Sequence, residues 1–315
     1  MGSGSNESGN GGAITVSADG DIDIASTLRS SSSSNSSLDE SGDGGSIALV
    51  SNFGDIEIAN LSERFVDNSL ISSFSYSVAG AAGNGGSTSV RAPKGSITGD
   101  GGRILTAAIA EASGVTDTGG NIYLEASSTI SGLEILTLAG SGNSGDVNVQ
   151  GRSESLTIDN LRLITSGRIE IADPNPTINQ APETITLNID NLGQPGNTLI
   201  QNTGDIILNN VNIEASANGS QPAGGVTVTS PGQVTFTNSQ ITSNANSTGD
   251  AGTIRLDVGQ LNLGNGGRIF AATSDSGNGG NVIINATDSV FLGEGVQDFE
   301  PVISVLTFPT KCSNP

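Results

Sequence analysis

The chain has 315 residues, 45 of them Gly, and its 32 acidic residues against 11 Lys and Arg give a net charge of −21. This charge repels phosphate backbones and anionic membrane surfaces, so neither nucleic acid nor membrane is an expected partner. No apolar run reaches the roughly 20 residues that span a bilayer, and one Cys with no His excludes both an internal disulfide framework and Cys–His chemistry.

The N-terminal residues 1–7 have no basic start followed by an apolar stretch, so no secretion signal is predicted in this sequence. The first repeat motif begins at Gly9, with no capping segment before it. We therefore expect a fragment of a longer protein, or a gene product with a late start.

A Gly-rich hexapeptide recurs along the chain, each time just before a short alternating run of apolar and polar residues. The last three copies are 28 residues apart, whereas earlier copies are spaced more widely and variably, which indicates inserted loops. The copies begin at Gly9, Gly42, Gly83, Asp117, Gly142, Gln221, Gly249 and Gly277.

Three short strands are predicted in each repeat. A second apolar pair follows the first after 8 or 9 residues, as Ile22 follows Ile14 and Ile56 follows Ile47, and a third group comes 7 or 8 residues later. Because apolar residues alternate within each run, one side of every strand is expected to face a common interior and the other side to be polar and solvated.

The position of the glycines indicates whether consecutive strands are joined by hairpin turns or belong to stacked coils. They open each repeat and do not recur at every link, which favours a corner used once per coil over a hairpin turn. Stacking then places Ile14, Ile47, Thr88 and Ile122 in one interior column, about 4.8 Å apart. The sequence therefore predicts an all-β fold, a right-handed parallel β-helix (β-solenoid) with about three short strands per coil.

Two stretches depart from the regular pattern. Residues 30–37 are almost entirely Ser and carry little apolar surface, which is typical of a solvated loop. Four prolines between 173 and 205 interrupt the coils, because Pro cannot donate to a strand ladder. The predicted segments are 1–172 (β-helix coils with inserted loops at 30–42 and 60–83), 173–205 (Pro-containing irregular coil or seam), 206–305 (regular coils) and 306–315 (tail).

Four carboxylates form the candidate site. Asp21 and Asp23 flank Ile22 on the outward side of their strand, and Asp55 and Glu57 occupy the same places one repeat later. Like charges stacked this closely repel, and the repulsion is relieved by solvation, by a bound Ca²⁺ or by a raised pKa in a catalytic cleft. Ca²⁺ is the only cofactor that this pattern suggests, and no catalytic residue is assigned.

The hexapeptides resemble a known family of secreted proteins. The repeated Gly-Asn-Gly-Gly corners, the strand Asn281–Ala286 and the stretch Gly264–Thr273 resemble filamentous-haemagglutinin-like exoproteins of two-partner secretion, particularly their cyanobacterial members. The likeness covers nearly the whole chain and is strongest over residues 204–305. It implies export through a dedicated outer-membrane transporter, the partner during secretion, and an extracellular or cell-surface location.

The leading functional hypothesis is an adhesin-like structural segment, not an enzyme, that contacts glycans or proteins of other surfaces. The alternative is a carbohydrate-active β-helix enzyme, similar to a polysaccharide lyase or hydrolase, that works through outward carboxylates. The absence of Trp and the presence of only two Tyr leave little to stack on sugar rings, which disfavours the enzyme.

Overall fold

The computed structural model describes residues 8–34, 40–59, 69–78, 80–110, 116, 118–165, 170–172, 184–186, 193–264, 266–293 and 301–305. These residues form 24 strands and no helix, and 22 of the strands belong to one sheet whose pairings are all parallel. The fold is therefore all-β and mostly parallel. The described part of the chain contains no helix of the length and apolarity needed to cross a bilayer.

The strands, in chain order, are β1 (Ile14–Ala18), β2 (Ile22–Ile24), β3 (Leu28–Ser34), β4 (Ile47–Ser51), β5 (Ile56–Ile58), β6 (Ser69–Ser77), β7 (Thr88–Ala92), β8 (Ile97–Ala110), β9 (Ile122–Ala126), β10 (Thr129–Ala139), β11 (Val147–Gly151) and β12 (Ser155–Asp159). They continue as β13 (Arg162–Ile164), β14 (Glu170–Ala172), β15 (Thr184–Thr186), β16 (Thr198–Gln201), β17 (Asp205–Asn209), β18 (Asn212–Glu214), β19 (Val226–Thr237), β20 (Gln240–Thr242), β21 (Thr253–Leu263), β22 (Arg268–Phe270), β23 (Asn281–Leu292) and β24 (Val302–Ser304).

Three parallel ladders run through the sheet. The first joins β1, β4, β7, β9, β11 and β16 to the N-terminal parts of β19, β21 and β23. The second begins with β2, β5 and β8, and the third ends with β18, β20, β22 and β24. Each repeat contributes one strand, or one part of a long strand, to each ladder.

The interior column predicted from the hexapeptides is confirmed. Ile14 pairs with Ile47, Ile47 with Thr88 and Thr88 with Ile122, and the last three are 1% exposed. In the third ladder Leu28 pairs in the same way with Ile71, the apolar residue of the next repeat. Each fully buried Ile or Val of such a column stabilises the fold by about 1.5–3 kcal/mol.

Glycines of the hexapeptides form a column of their own at the corner before the first ladder. A Cβ at Gly120 would meet the carbonyl oxygen of Gly86, and one at Gly145 would meet that of Gly120. The same contact recurs from repeat to repeat up to Gly280, which lies over Gly252. Successive backbones therefore approach closely at this corner, and only Gly leaves room for the contact.

The serine-rich stretch is not entirely a loop. The prediction of inserted loops at 30–42 and 60–83 is wrong for residues 30–34 and 69–77, which form strands. Residues 28–34 form β3, which pairs in parallel with β6, residues 69–77. Residues 40–42, 78 and 80–83 lie outside the named strands, and the predicted loop residues 35–39, 60–68 and 79 lie outside the described part of the chain.

Hydroxyl groups explain why serine suits these strands. Ser32 Oγ donates to the Gly9 carbonyl at 2.8 Å, and Ser75 Oγ donates to that of Gly42 at 2.8 Å. In later repeats Thr137 donates to Gly145 at 2.7 Å. The inner side of the third ladder thus faces corner carbonyls, which need donors from small side chains.

The regular ladders also extend into the segment predicted to be an irregular coil or seam at 173–205. Residues 198–201 form β16, which pairs with both β11 and β19, and Asp205 begins β17, so both belong to the large sheet. Pro195 lies at the corner, outside the strands, where its missing N–H interrupts no ladder. Apart from the large sheet, β15 in this segment pairs antiparallel with β14, which lies just before it at residues 170–172.

The outward side of the third ladder is apolar in several repeats, contrary to the prediction that it is polar and solvated. Its buried residues form a second cluster, separate from the interior one, and Arg29 lies 5.4 Å from the ring centroid of Phe74. The members of the cluster are Phe74, Tyr76, Leu105, Ala107, Ile109, Leu136, Leu138 and Ile164. Both faces of these strands are therefore buried.

The last repeat leaves part of its interior side open. Val290 and Leu292 continue the columns of Leu261 and Leu263, yet they are 47% and 55% exposed. No other described strand pairs with the far edge of β23. In the preceding repeat the same columns are almost fully buried.

Candidate functional site

The four predicted carboxylates lie where the register placed them. Asp23 is opposite Glu57 in the pairing of β2 with β5, and both side chains are exposed. The row continues to Thr98 in β8, so Asp23 and Glu57 are not followed by a third carboxylate in the next strand.

Asp21 and Asp55 have a structural task that the sequence did not reveal. Asp21 Oδ1 accepts a hydrogen bond from the backbone N–H of Asp55 at 2.9 Å, and Asp55 Oδ1 accepts one from that of Ser96 at 2.7 Å. Each carboxylate therefore links its corner to the next repeat. The described residues contain no three Asp, Glu, His or Cys side chains grouped closely enough to hold a metal ion, and Ca²⁺ binding by the four residues stays a prediction.

The same kind of link occurs at the hexapeptide corner. Asp43 Oδ1 accepts the backbone N–H of Asn84 at 2.7 Å, and Asp250 Oδ1 accepts that of Asn278 at 2.7 Å. Asp146 Oδ1 does the same for Asn197. These carboxylates of the hexapeptides therefore connect consecutive repeats.

A second polar corner lies between the second and third ladders. Asn160, Asn210 and Asn238 have left-handed backbone conformations, with φ of 48°, 52° and 46°, and Gly266 takes the same place in the next repeat with φ of 81°. Asn tolerates this region better than most residues, and Gly adopts it without steric cost. Asn238 Nδ2 donates to Asn210 Oδ1 at 2.8 Å, so the amides stack along the corner.

Beside this corner runs an outward row of long polar side chains. In the third ladder Arg162 is paired with Asn212, Asn212 with Gln240 and Gln240 with Arg268. Gln240 Nε2 donates to Asn212 Oδ1 at 2.9 Å. Corner and row enclose a groove of about 300 Å³ lined by Asn210, Val211, Asn212, Asn238, Gln240, Gly266 and Arg268.

Glu125 forms the most buried ion-pair cluster among the described residues. Its side chain is 2% exposed, and its oxygens accept hydrogen bonds from Arg91 Nε at 2.6 Å and Arg152 Nε at 2.5 Å. Burial alone would raise the pKa of Glu125, but the hydrogen bonds and positive charges of the two arginines outweigh it and hold the pKa below its ordinary value. Both arginine side chains remain about half exposed, and the cluster presents no free carboxylate.

Glu214 has the opposite electrostatic setting. Burial raises its pKa, and the charge of Arg162 opposes the rise only in part. The ionised form is therefore less favourable in the folded chain than in the unfolded one, so the free energy of unfolding falls as pH rises from the ordinary glutamate pKa through the raised one.

Replacing Glu214 with Gln is expected to raise the midpoint of thermal unfolding at pH 7, because the neutral amide avoids that cost. The gain should disappear below the ordinary glutamate pKa of about 4.3, where the native carboxyl is also neutral. Circular dichroism melts at pH 7 and pH 3 measure it. Glu57→Gln, at an exposed position, is the control and should change little at either pH; a gain from Glu214→Gln that persists at pH 3 would contradict the electrostatic explanation.

Comparison of the chain with family models, with curated proteins and with solved structures finds no match.

Proposed function

We propose that the chain is an adhesin-like structural segment of an exported or surface-exposed protein, built as a right-handed parallel β-helix of three strands per coil. In this interpretation each repeat of the three ladders is one coil, and the glycine column marks one corner of a rod. The proposal includes membership of the filamentous-haemagglutinin-like exoproteins of two-partner secretion, with an outer-membrane transporter as the export partner.

The observation that carries the proposal is the regular outward presentation of polar side chains. The row Arg162, Asn212, Gln240 and Arg268 advances by one strand per repeat, and neighbouring parallel strands are about 4.8 Å apart. Stacked backbones hold such a row in fixed register without needing a flexible loop. A ligand with a repeating structure, such as a glycan chain, would meet many weak contacts at once.

The proposal is tested with beads coated with the purified chain and incubated with polysaccharide-coated surfaces. We expect retention above that of beads carrying serum albumin, with no fragmentation of the polysaccharide in the presence or absence of Ca²⁺. Absence of retention on every surface would contradict the adhesive role. Depolymerisation that is lost in Asp55→Ala would instead establish the carbohydrate-active enzyme that the sequence left as the alternative.

A further inference from the structure

The groove beside the second corner contains an arginine, Arg268, whose positive charge is not paired within the described structure. Among the described Arg and Lys residues, Arg268 alone has neither a carboxylate partner nor an aromatic ring beneath it. The others pair with Glu or Asp, as Arg162 does with Glu134, or lie over a ring, as Lys94 does over Phe53. The net charge of −21 repels extended anionic surfaces, but a cation without a partner favours a single carboxylate placed directly beside it.

The amides beside Arg268 leave acceptors available. Asn238 and Gln240 each use an N–H to bond the amide oxygen of the preceding repeat, at 2.8 and 2.9 Å, and the oxygens Asn238 Oδ1 and Gln240 Oε1 take part in no hydrogen bond within the described structure. These oxygens accept hydrogen bonds from hydroxyl groups. The groove therefore offers acceptors for hydroxyls next to one fixed cation.

An apolar surface lies on the same side of the strand. Arg268 and Phe270 flank Ile269, which is fully buried, so both project from the outward face of β22. Phe270 is partly exposed. Because Phe270 is two residues from Arg268 on the same face of the strand, its ring offers an apolar surface to the C–H face of a sugar that pairs with Arg268.

We propose that this groove binds a uronic-acid-containing oligosaccharide that runs along the stacking direction of the repeats. The carboxylate of one sugar pairs with the Arg268 guanidinium in a two-bond arrangement, and hydroxyls of neighbouring sugars donate to Asn238 and Gln240. The proposal rests on the adhesive function proposed above and names its ligand class. A neutral glycan would leave Arg268 without a partner, so the charge is the basis of selectivity.

The test is isothermal titration of the whole chain with a galacturonate tetramer and with its methyl ester, which has the same backbone but no charge. We expect the acid to bind at least tenfold more tightly than the ester, and Arg268→Gln to remove most of that difference. Asn238→Gly, which retains the left-handed backbone, should weaken binding several-fold. Arg255→Gln, at an arginine already paired with Asp257, is the matched control and should bind as the native chain does.

Equal binding of acid and ester, no binding of the acid, or an unchanged affinity in Arg268→Gln would each overturn the assignment. Circular dichroism melts confirm that the variants are folded. The bead assay separates this site from the general proposal: if Arg268→Gln beads still adhere to a uronate polysaccharide, the groove assignment fails and the adhesive function stands. If native beads adhere to nothing, the adhesive function itself fails.

Discussion

Replacing Gly145 with Ala is expected to lower the free energy of unfolding by about 3 kcal/mol, at the upper end of what overpacking a tight site costs. The new Cβ would collide with the carbonyl of Gly120, a backbone atom that ladders on both sides hold in place. To relieve the collision the two repeats must separate at the corner, which weakens the hydrogen bond of 2.7 Å from Thr137 to the Gly145 carbonyl as well. Urea unfolding followed by far-ultraviolet circular dichroism measures the loss.

Gly12→Ala is the matched control for this prediction. Gly12 occupies the same place in the hexapeptide but begins the column, and a Cβ there has no atom within 4 Å. Neither Gly12 nor Gly145 has a positive φ, so the two substitutions differ in the contact with the neighbouring repeat and not in backbone strain. We expect Gly12→Ala to change stability by less than about 0.5 kcal/mol. Similar losses from both substitutions would show that stacking contact is not what the glycine column provides.

The large features of the fold could be predicted because they are repeated. Alternation shows which residues of a strand face inward, and the hexapeptide shows where each repeat begins, so Ile14, Ile47, Thr88 and Ile122 could be aligned before any pairing was known. Variable spacing did not disturb the alignment, since an insertion between strands leaves the register within them unchanged.

The serine strand could not be predicted, because its stability comes from another part of the chain. Ser30–Ser34 has no apolar pattern, and its hydroxyls become useful only when the corner carbonyls of Gly9 and Gly12 lie opposite. Local composition describes a solvated loop, whereas the partners come from an earlier corner of the repeat. The outward apolar cluster around Leu105 and Leu136 was missed for a similar reason, since alternation identifies one buried side of a strand and these strands have two.

The register of the four candidate carboxylates could be predicted, but one function of two of them could not. The sequence predicts Asp21 and Asp55 as part of a solvated or Ca²⁺-binding carboxylate patch; each also accepts a backbone N–H of the next repeat, a bond that requires the three-dimensional register to be recognised. The amide groove was missed because Asn210 and Asn238 are unremarkable in an Asn-rich chain. Their 28-residue spacing, which matches that of the last hexapeptides, is the signal that would have placed them at equivalent positions.

Replacing Glu125 with Gln is expected to cost about 3 kcal/mol at pH 7, near the cost of breaking a buried ion pair. The native carboxylate accepts from Arg91 on one oxygen and from Arg152 on the other, whereas an amide would present its own N–H₂ group to one of these donors. Because the half-exposed arginine side chains recover some hydration, the expected cost lies at the lower end for such pairs.

The pH dependence separates this electrostatic contribution from a packing defect. Since the pKa of Glu125 is held below its ordinary value, the ionised carboxylate stabilises the fold above the unfolded-state pKa of about 4.3, and the contribution is lost as pH falls through the lower folded-state pKa. Urea unfolding of native and Glu125→Gln chains should therefore differ less at pH 3 than at pH 7. Glu134→Gln is the control, because Glu134 also lies between two arginines, Arg103 and Arg162. Its side chain is 18% exposed, and water screens an ion pair that it reaches. We therefore expect Glu134→Gln to lower the free energy of unfolding by only about 1 kcal/mol. Equal losses from the two substitutions, or a difference for Glu125→Gln that does not change with pH, would show that burial of the Glu125 charge is not the source of its contribution.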